Sequence, residues 1–490
     1  MRRRPLATSI LLSTAALALA VTGLVDPQVT AASQDWPDDA VVYHVFVDRF
    51  ADGDGSGQVG DDVADHDRAL MDWMGGDLLG VRARLGHVVA VGANTLWLSP
   101  VTPGPGYHGY HPTDLTAVDP RFGTVEQLRD LVDDAHARGL KFVYDLVLNH
   151  TSDRHPWFEA ARATCAAPYV DYYEFRECPD RYAGFAGLAE LPELDLDHPE
   201  VRRWVFDEVL PFWLDDIAVD GFRLDHAQGP SRDFWEAFDA EVEARWPGTL
   251  LLGEVWAQQA IIDSYGDVLD AATAFPLRDR LVAVIARGGD VRALHQPVEA
   301  LLAGDGPRPA TYVSSHDQPR FLTEADGDRR RLTLAYGALL TLPGLPIVYY
   351  GDEVGVGQSG DHDAVDTHQD RYFRAPMPWD RTAWDTEVLD TVARLARLRT
   401  TTPALHSGRY VPLVTEGDVL VFERVADDGD RVLVVLATGE GPTTIDLGGL
   451  YGDAVPRAVD LLADGEPARE TAVEVAGPGV GVWRLLDPSG

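Results

Sequence analysis

The 490-residue sequence predicts an α/β fold: a (β/α)8 TIM barrel with a small subdomain inserted after its third strand, followed by a C-terminal antiparallel β-sandwich domain. Three observations lead there. Eight short β-rich runs alternate with amphipathic helical stretches, which favours a closed barrel over an open sheet. Asp145 and Asp220 stand 75 positions apart, far more than one βα unit needs, so an excursion follows the third strand. After about Pro403 the helical periodicity stops, and alternating strand patterns with Gly-rich turns replace it.

Taken in order, the chain opens with Arg2, Arg3 and Arg4, an apolar stretch from Leu6 to about Val25, and small residues through Ala31 and Ala32. This is the form of an export signal over 1–32, which places the mature start near Ser33 and the protein outside the cell. Thr8, Ser9, Ser13 and Thr14 dilute the stretch and weigh against the alternative, a retained membrane anchor. No later run is long enough to span a bilayer, so no membrane contact is expected of the mature form. The barrel takes 33–150 and 200–403. Its strands are expected at Val41 to Val47, Thr95 to Leu98, Lys141 to Leu146, Gly221 to Leu224, Leu250 to Gly253, Ala271 to Phe275, Tyr312 to Ser315 and Ile347 to Tyr350. Helices such as Val125 to Arg138 and Glu200 to Asp216 keep apolar residues at i, i+3, i+4 spacing and begin near acidic residues. The inserted subdomain, 151–199, is rich in Tyr, Phe, Pro and Gly and holds both cysteines. Outside the cytoplasm Cys165 and Cys178 have one way to pair, and they are too far apart for a CxxC redox motif. In 404–490 the strands are expected at Val419 to Val425, Arg431 to Ala437, Thr443 to Asp446, Ala472 to Val475 and Val482 to Leu485.

Charge excludes some partners. The 41 basic residues face 79 acidic ones, a net charge of −38, and Lys141 is the single lysine. Such a surface repels nucleic acid and anionic lipid but suits a neutral substrate, a polyol or a cation.

In a barrel, reactive groups sit at the C-terminal ends of strands. Here those ends carry acids: Asp145 with Asn149 and His150 after it, Arg223 and Asp225, Glu254, and then His316 and Asp317. Carboxylates converging on one mouth repel each other, a cost that a purely structural core avoids. Arg223 and Asp225, two apart on a strand, point the same way, and the guanidinium favours the ionised carboxylate that a nucleophile must be. Glu254, followed by Val255 and Trp256, has a partly apolar setting that favours the protonated form of an acid. One carboxylate ionised and one protonated is what retaining glycoside hydrolysis requires.

The sequence resembles the α-amylase family of glycoside hydrolases. The matching segments are GANTLWLSP (92–100), DLVLNH (145–150), LPELD (191–195), GFRLD (221–225), GEVW (253–256), SSHD (314–317) and LPIVYYGDE (345–353), in the family's order across almost the whole mature chain. The resemblance implies that Asp225 is the nucleophile, Glu254 the acid/base and Asp317 the transition-state stabiliser. It implies that Arg223 orients Asp225, that His150 and His316 hydrogen-bond the sugar at the cleavage point, and that Tyr110, in HGYHPTD, stacks on it. Asp145, Trp256 and Gln228 are counted with the substrate-binding residues, whereas Trp97, inside the second strand, is assigned to the core.

Calcium is the one cofactor expected, in a structural role. DRFADGDGSG (48–57) sets Asp52 and Asp54 at alternate positions in a Gly-rich loop, and GGDLLG (75–80) adds Gly75 and Asp77; this resembles a calcium loop of some bacterial members of the family. The family also commonly holds calcium between barrel and subdomain, here through Asn149, a subdomain acid and the carbonyl of Gly229. The frequent Lys-His after the fourth strand reads Gln228-Gly229, which puts the usual acceptor-side lysine contact in doubt. The expected activity is a secreted, monomeric, retaining α-glucan hydrolase cleaving α-1,4 bonds, endo-acting because the subdomain and the loop 101–120 are modest. Two alternatives stand beside it: an exo-acting or transglycosylating α-glucosidase or maltogenic amylase, and a non-catalytic sugar-binding relative. The short segment before the first strand speaks against a neopullulanase-like N-terminal domain, and the presence of all three acids against the non-catalytic reading.

Overall fold

The computed structural model describes residues 36–55, 57, 72–358, 369–463 and 471–486; the expected export signal lies outside them. Eight parallel strands close the barrel: β1 Val42–Val45, β2 Thr95–Leu98, β3 Lys141–Leu146, then, after the subdomain hairpin β4 Phe175–Glu177 and β5 Arg181–Tyr182, β6 Gly221–Leu224, β7 Leu250–Gly253, β8 Ala271–Thr273, β9 Arg308–Thr311 and β10 Leu345–Tyr349. Around the barrel they run β1-β10-β9-β8-β7-β6-β3-β2. Helices on the outside bury both sheet faces, which is why the strands read as continuous apolar runs. The helix Val125–His136 shows how they are set: Thr124 caps it by accepting from the Gln127 amide while the Gln127 side chain returns to the Thr124 amide, and Leu128, Leu131, Val132 and Ala135 are its buried face.

Four strand expectations need correction. The run Tyr312 to Ser315 is not the seventh barrel strand; β9 lies at Arg308–Thr311, where Ala310 pairs with Leu345 and Arg308 with Ala271. Pro309 had disguised it, because proline cannot donate to a ladder. The first strand stops at Val45, a helical turn taking over at Val47, and the Ala271 strand stops at Thr273, with Phe275 opening the helix Phe275–Leu281. The last strand starts two residues before Ile347. The expected helix Glu200 to Asp216 begins as Pro199–Trp204 and widens into π turns at Val205–Val209 and Phe212–Asp216. Pro211 has no amide to continue an α-helical ladder through that point.

Between β3 and β6 the chain forms a short helix, Pro156–Thr164, the small hairpin and several turns, closed by the disulfide Cys165–Cys178 with a Cα–Cα distance of 5.8 Å. The C-terminal domain packs a five-stranded sheet, β11 Arg409–Glu416, β12 Val419–Val425, β13 Arg431–Ala437, β17 Gly479–Leu486 and β15 Arg457–Asp460, on the pair β14 Thr443–Asp446 and β16 Ala472–Val475. Val421, Leu433, Val435 and Trp483 face Ile445, Val473 and Val475 across that core. Among the described residues no helix is long and apolar enough to cross a membrane.

Candidate active site

The C-terminal ends of β3, β6 and β7 bring Asp145, Arg223, Asp225 and Glu254 together around one guanidinium. Arg223 Nη1 donates to Asp145 Oδ1 at 2.7 Å and to Asp225 Oδ1 at 2.6 Å, and Nη2 lies 2.9 Å from Glu254 Oε2. Neighbouring barrel strands run in register, Asp145 opposite Arg223 and Leu224 opposite Gly253, which sets these side chains at one height. Arg223 is buried and its pKa is raised further, because the carboxylates around it outweigh the burial penalty on its charge.

Each acid has its own setting. Asp145 is fully buried and accepts three donors, Arg223, the Tyr110 hydroxyl at 2.8 Å and the Trp97 indole N–H at 3.1 Å. It therefore acts on the site through those side chains rather than by touching a sugar. Burial raises its pKa against the pull of Arg223. Glu254 is pushed up to about 7, first by burial and then by the carboxylates Asp225 and Asp317, against the opposing effects of Arg223 and the His226 amide. Its side chain keeps 13% exposure, enough to meet a ligand. Asp317, 33% exposed, lies 2.9 Å from both His316 Nε2 and Arg374 Nη2. Burial would raise its pKa; His316, Arg374 and Arg223 outweigh that and hold it well below the ordinary carboxylate range.

The histidines and aromatics complete the walls. His150 Nε2 is 3.0 Å from the Tyr110 carbonyl, so that nitrogen carries the proton, and the ring stacks on Phe185 from the subdomain. Burial lowers its pKa. Tyr110 lies parallel to His316, centroids 5.2 Å apart. Trp256 is 51% exposed and stacks on Phe275 at 4.5 Å, an open aromatic face two residues from Glu254. Gln228 and Gly229 are exposed on the turn after β6. A side chain at Gly229 would meet Asn149 Oδ1 at 1.9 Å, so these two expected metal residues are in direct contact.

At the other expected metal site, Asp52, Asp54 and Asp77 offer oxygens within 4.8 Å of one another. Asp77 Oδ1 also accepts from the amides of Gly53 and Gly80, the latter at the start of the helix Leu78–Ala90. The Gly75 amide donates to Asp48 Oδ1.

Sequence reasoning missed four residues of the site. Trp97 is core by burial but its ring lines the pocket beside Arg223 and Glu254, and His44 of β1 stacks on it at 3.7 Å. A histidine in the apolar run VVYHVFV was the available signal. Arg374 comes from the segment after β10, donating to the His316 carbonyl at 2.9 Å and pairing with Asp370 as well as Asp317. Phe185 arrives on a subdomain turn. Neither has a local pattern pointing to a site.

Comparison with known proteins points to one family. A family model described as the α-amylase catalytic domain matches residues 44–388. α-Amylase 2 of Dictyoglomus thermophilum is 27% identical over 424 residues, spanning 85% of this chain and 72% of its own. A cyclomaltodextrinase of a Bacillus species is 31% identical over 427 residues, spanning 84% and 74%. The structure of cyclic α-maltosyl-(1→6)-maltose hydrolase from Arthrobacter globiformis, bound to cyclic α-maltosyl-(1→6)-maltose, superposes with a TM-score of 0.80 at 30% identity, covering 93% of this chain and 100% of that one.

Proposed function

Since the chain belongs to the α-amylase family of glycoside hydrolases, we propose that it cleaves α-glucosidic bonds of short or cyclic maltodextrins with retention of configuration. The observation that carries the reading is Arg223 binding Asp225 through Nη1 and Glu254 through Nη2, so that both carboxyls border the same small space. Asp225 attacks the anomeric carbon while Glu254 gives its proton to the departing glycosidic oxygen, and the carbon–oxygen bond breaks. Glu254, now ionised, takes a proton from water, whose oxygen displaces Asp225 and restores both groups. Asp317 supplies negative charge beside the cationic transition state.

The preference for short or cyclic substrates replaces the endo-acting expectation. That expectation rested on an open cleft, but Phe185 reaches His150 and His226 on one side of the mouth, and Arg374, Asp370 and the Tyr107 hydroxyl border the Asp317 side. The similarity to a cyclomaltodextrinase supports the same reading. Chromatography of early products from a cyclodextrin, maltotriose and amylose tests it, with proton NMR of the first sugar released. The cyclic substrate is expected to be consumed faster than amylose and the first sugar to be the α anomer. Rapid loss of amylose viscosity with the cyclodextrin untouched would restore the endo reading, and an initial β anomer would sink retention.

Calcium at Asp52, Asp54 and Asp77 belongs to the same proposal. Three hard oxygen donors suit it, and burial together with the neighbouring Asp54 and Asp52 raises the pKa of Asp77 despite two amide donors, a repulsion that a cation relieves. Export is proposed on the form of residues 1–32, and the Cys165–Cys178 disulfide is what an oxidising compartment permits.

A further inference from the structure

His226, directly after the nucleophile, has a left-handed backbone with φ 44°, a conformation that a non-glycine residue adopts only when its surroundings impose it. The consequence is where its amide points: the N–H donates to Glu254 Oε2 at 2.9 Å. Arg223 Nη2 meets that same oxygen, also at 2.9 Å. With Oε2 bonded to the His226 amide and facing the Arg223 cation, the proton that Glu254 transfers sits on Oε1. The ring of His226 is held from two sides. Phe185, on the subdomain turn Phe185–Gly187, contacts it edge-on at a centroid distance of 4.7 Å, and Gly229 is so close that an added Cβ would lie 2.8 Å from the imidazole. Phe185 is itself stacked on His150, which ties the turn to the barrel mouth.

We propose that His226 is a positioning residue for the acid: the grip of Phe185 on its ring maintains the left-handed backbone, whose amide in turn fixes Glu254 with Oε1 as the proton-bearing oxygen. The subdomain tip thereby controls proton donation without touching Glu254. This rests on Glu254 being the acid, as proposed above. The other charged groups acting on Glu254 are Arg223 of β6, Asp225 directly after it and Asp317 from the segment after β9, and Tyr312 of that segment feels its charge; none of them changes in the variants below.

The test compares His226→Gly, His226→Phe, Phe185→Ala and Glu254→Gln on two substrates, an α-maltooligosaccharide, whose leaving group must be protonated, and α-glucosyl fluoride, whose leaving group need not be. Glycine accepts φ 44° but removes the ring; phenylalanine keeps a ring for Phe185 to hold; Phe185→Ala leaves residue 226 intact. His226→Gly and Phe185→Ala are expected to lower kcat/KM on the oligosaccharide about tenfold, a fraction of what general acid catalysis supplies, while kcat/KM for the fluoride, which reports formation of the glycosyl-enzyme alone, is retained. Their basic pH limb should move upward, since losing a hydrogen bond to the ionised form favours the protonated one. His226→Phe should restore both. Equal losses on the two substrates, or a basic limb that stays in place in folded variants, would overturn the positioning role. If Glu254→Gln itself fails to distinguish the two substrates in kcat/KM, the assignment of the acid is wrong, which separates that failure from this one.

Discussion

Glu254 should leave a signature in stability as well as in rate. An ordinary glutamate titrates at 4.5, and in the folded protein Glu254 is pushed up to about 7, chiefly by burial. Between those values the native state holds a proton that the unfolded chain has released, so its contribution to stability is complete below the lower value and lost as pH rises through the upper one. The gap corresponds to about 3 kcal/mol, most of which disappears between pH 5 and pH 8. Glu254→Gln is neutral throughout and escapes this loss. Denaturant unfolding of both proteins at the two pH values should find the variant gaining about 2 to 3 kcal/mol on the wild type as pH rises. In parallel, wild-type kcat/KM should fall about tenfold per pH unit above about 7, where the acid is ionised in the free enzyme. Parallel stability profiles for the two proteins, or a rate that stays flat to pH 9, would refute the raised carboxyl.

Arg374→Met should cost about 10²-fold in kcat, the scale of one electrostatic contact at a reaction centre, and should move the acidic limb of the rate profile to higher pH because Asp317 loses a cation that keeps it ionised; an unmoved acidic limb would count against it. Replacing Cys165 and Cys178 by serine opens a loop with a sequence separation of 13, worth about 3 kcal/mol by chain entropy, so the melting temperature should drop. A double variant melting with the wild type would contradict this. Chelation should lower the melting temperature, by about 2.7 kcal/mol of stability if calcium had been present at a hundredfold over its Kd, and Asp77→Asn should abolish that sensitivity. A wild type indifferent to chelator, with no metal by elemental analysis, would dispose of the site.

How far the sequence could be read depended on whether the relevant forces were local. β2, β3, β6 and β7 were legible to the residue because each is a short apolar run cut off by polar or glycine residues. β9 was displaced onto Tyr312–Ser315 because Arg308 and Pro309 lack strand character and take it from their neighbours on both sides. β11, broken by Pro412, and the four-residue β15 went unseen for the same reason. At the site, acids at strand ends were legible because barrel geometry dictates where strand ends meet. His44, Arg374 and Phe185 join them from a first strand, a post-barrel segment and a subdomain turn, through contacts that no periodicity records.

The charge balance at the mouth explains why these hidden residues matter. Asp145, Asp225 and Glu254 share one guanidinium, and Asp317 shares Arg374 with Asp370. Two of the buried histidines add no charge: burial, then His316 and Arg223, push His44 down, and burial lowers His150 as well. Acidic groups therefore outnumber cations, which favours a proton on one of the carboxyls. Asp145, with three donors on its two oxygens, is already compensated by hydrogen bonds. Glu254, which feels Asp225 and Asp317 and keeps Oε1 clear of the His226 amide and Arg223, is where the proton is useful to chemistry. The sequence's preference for arginine serves this arrangement, since a lysine at 223 would present one nitrogen where Arg223 uses two to reach three acids.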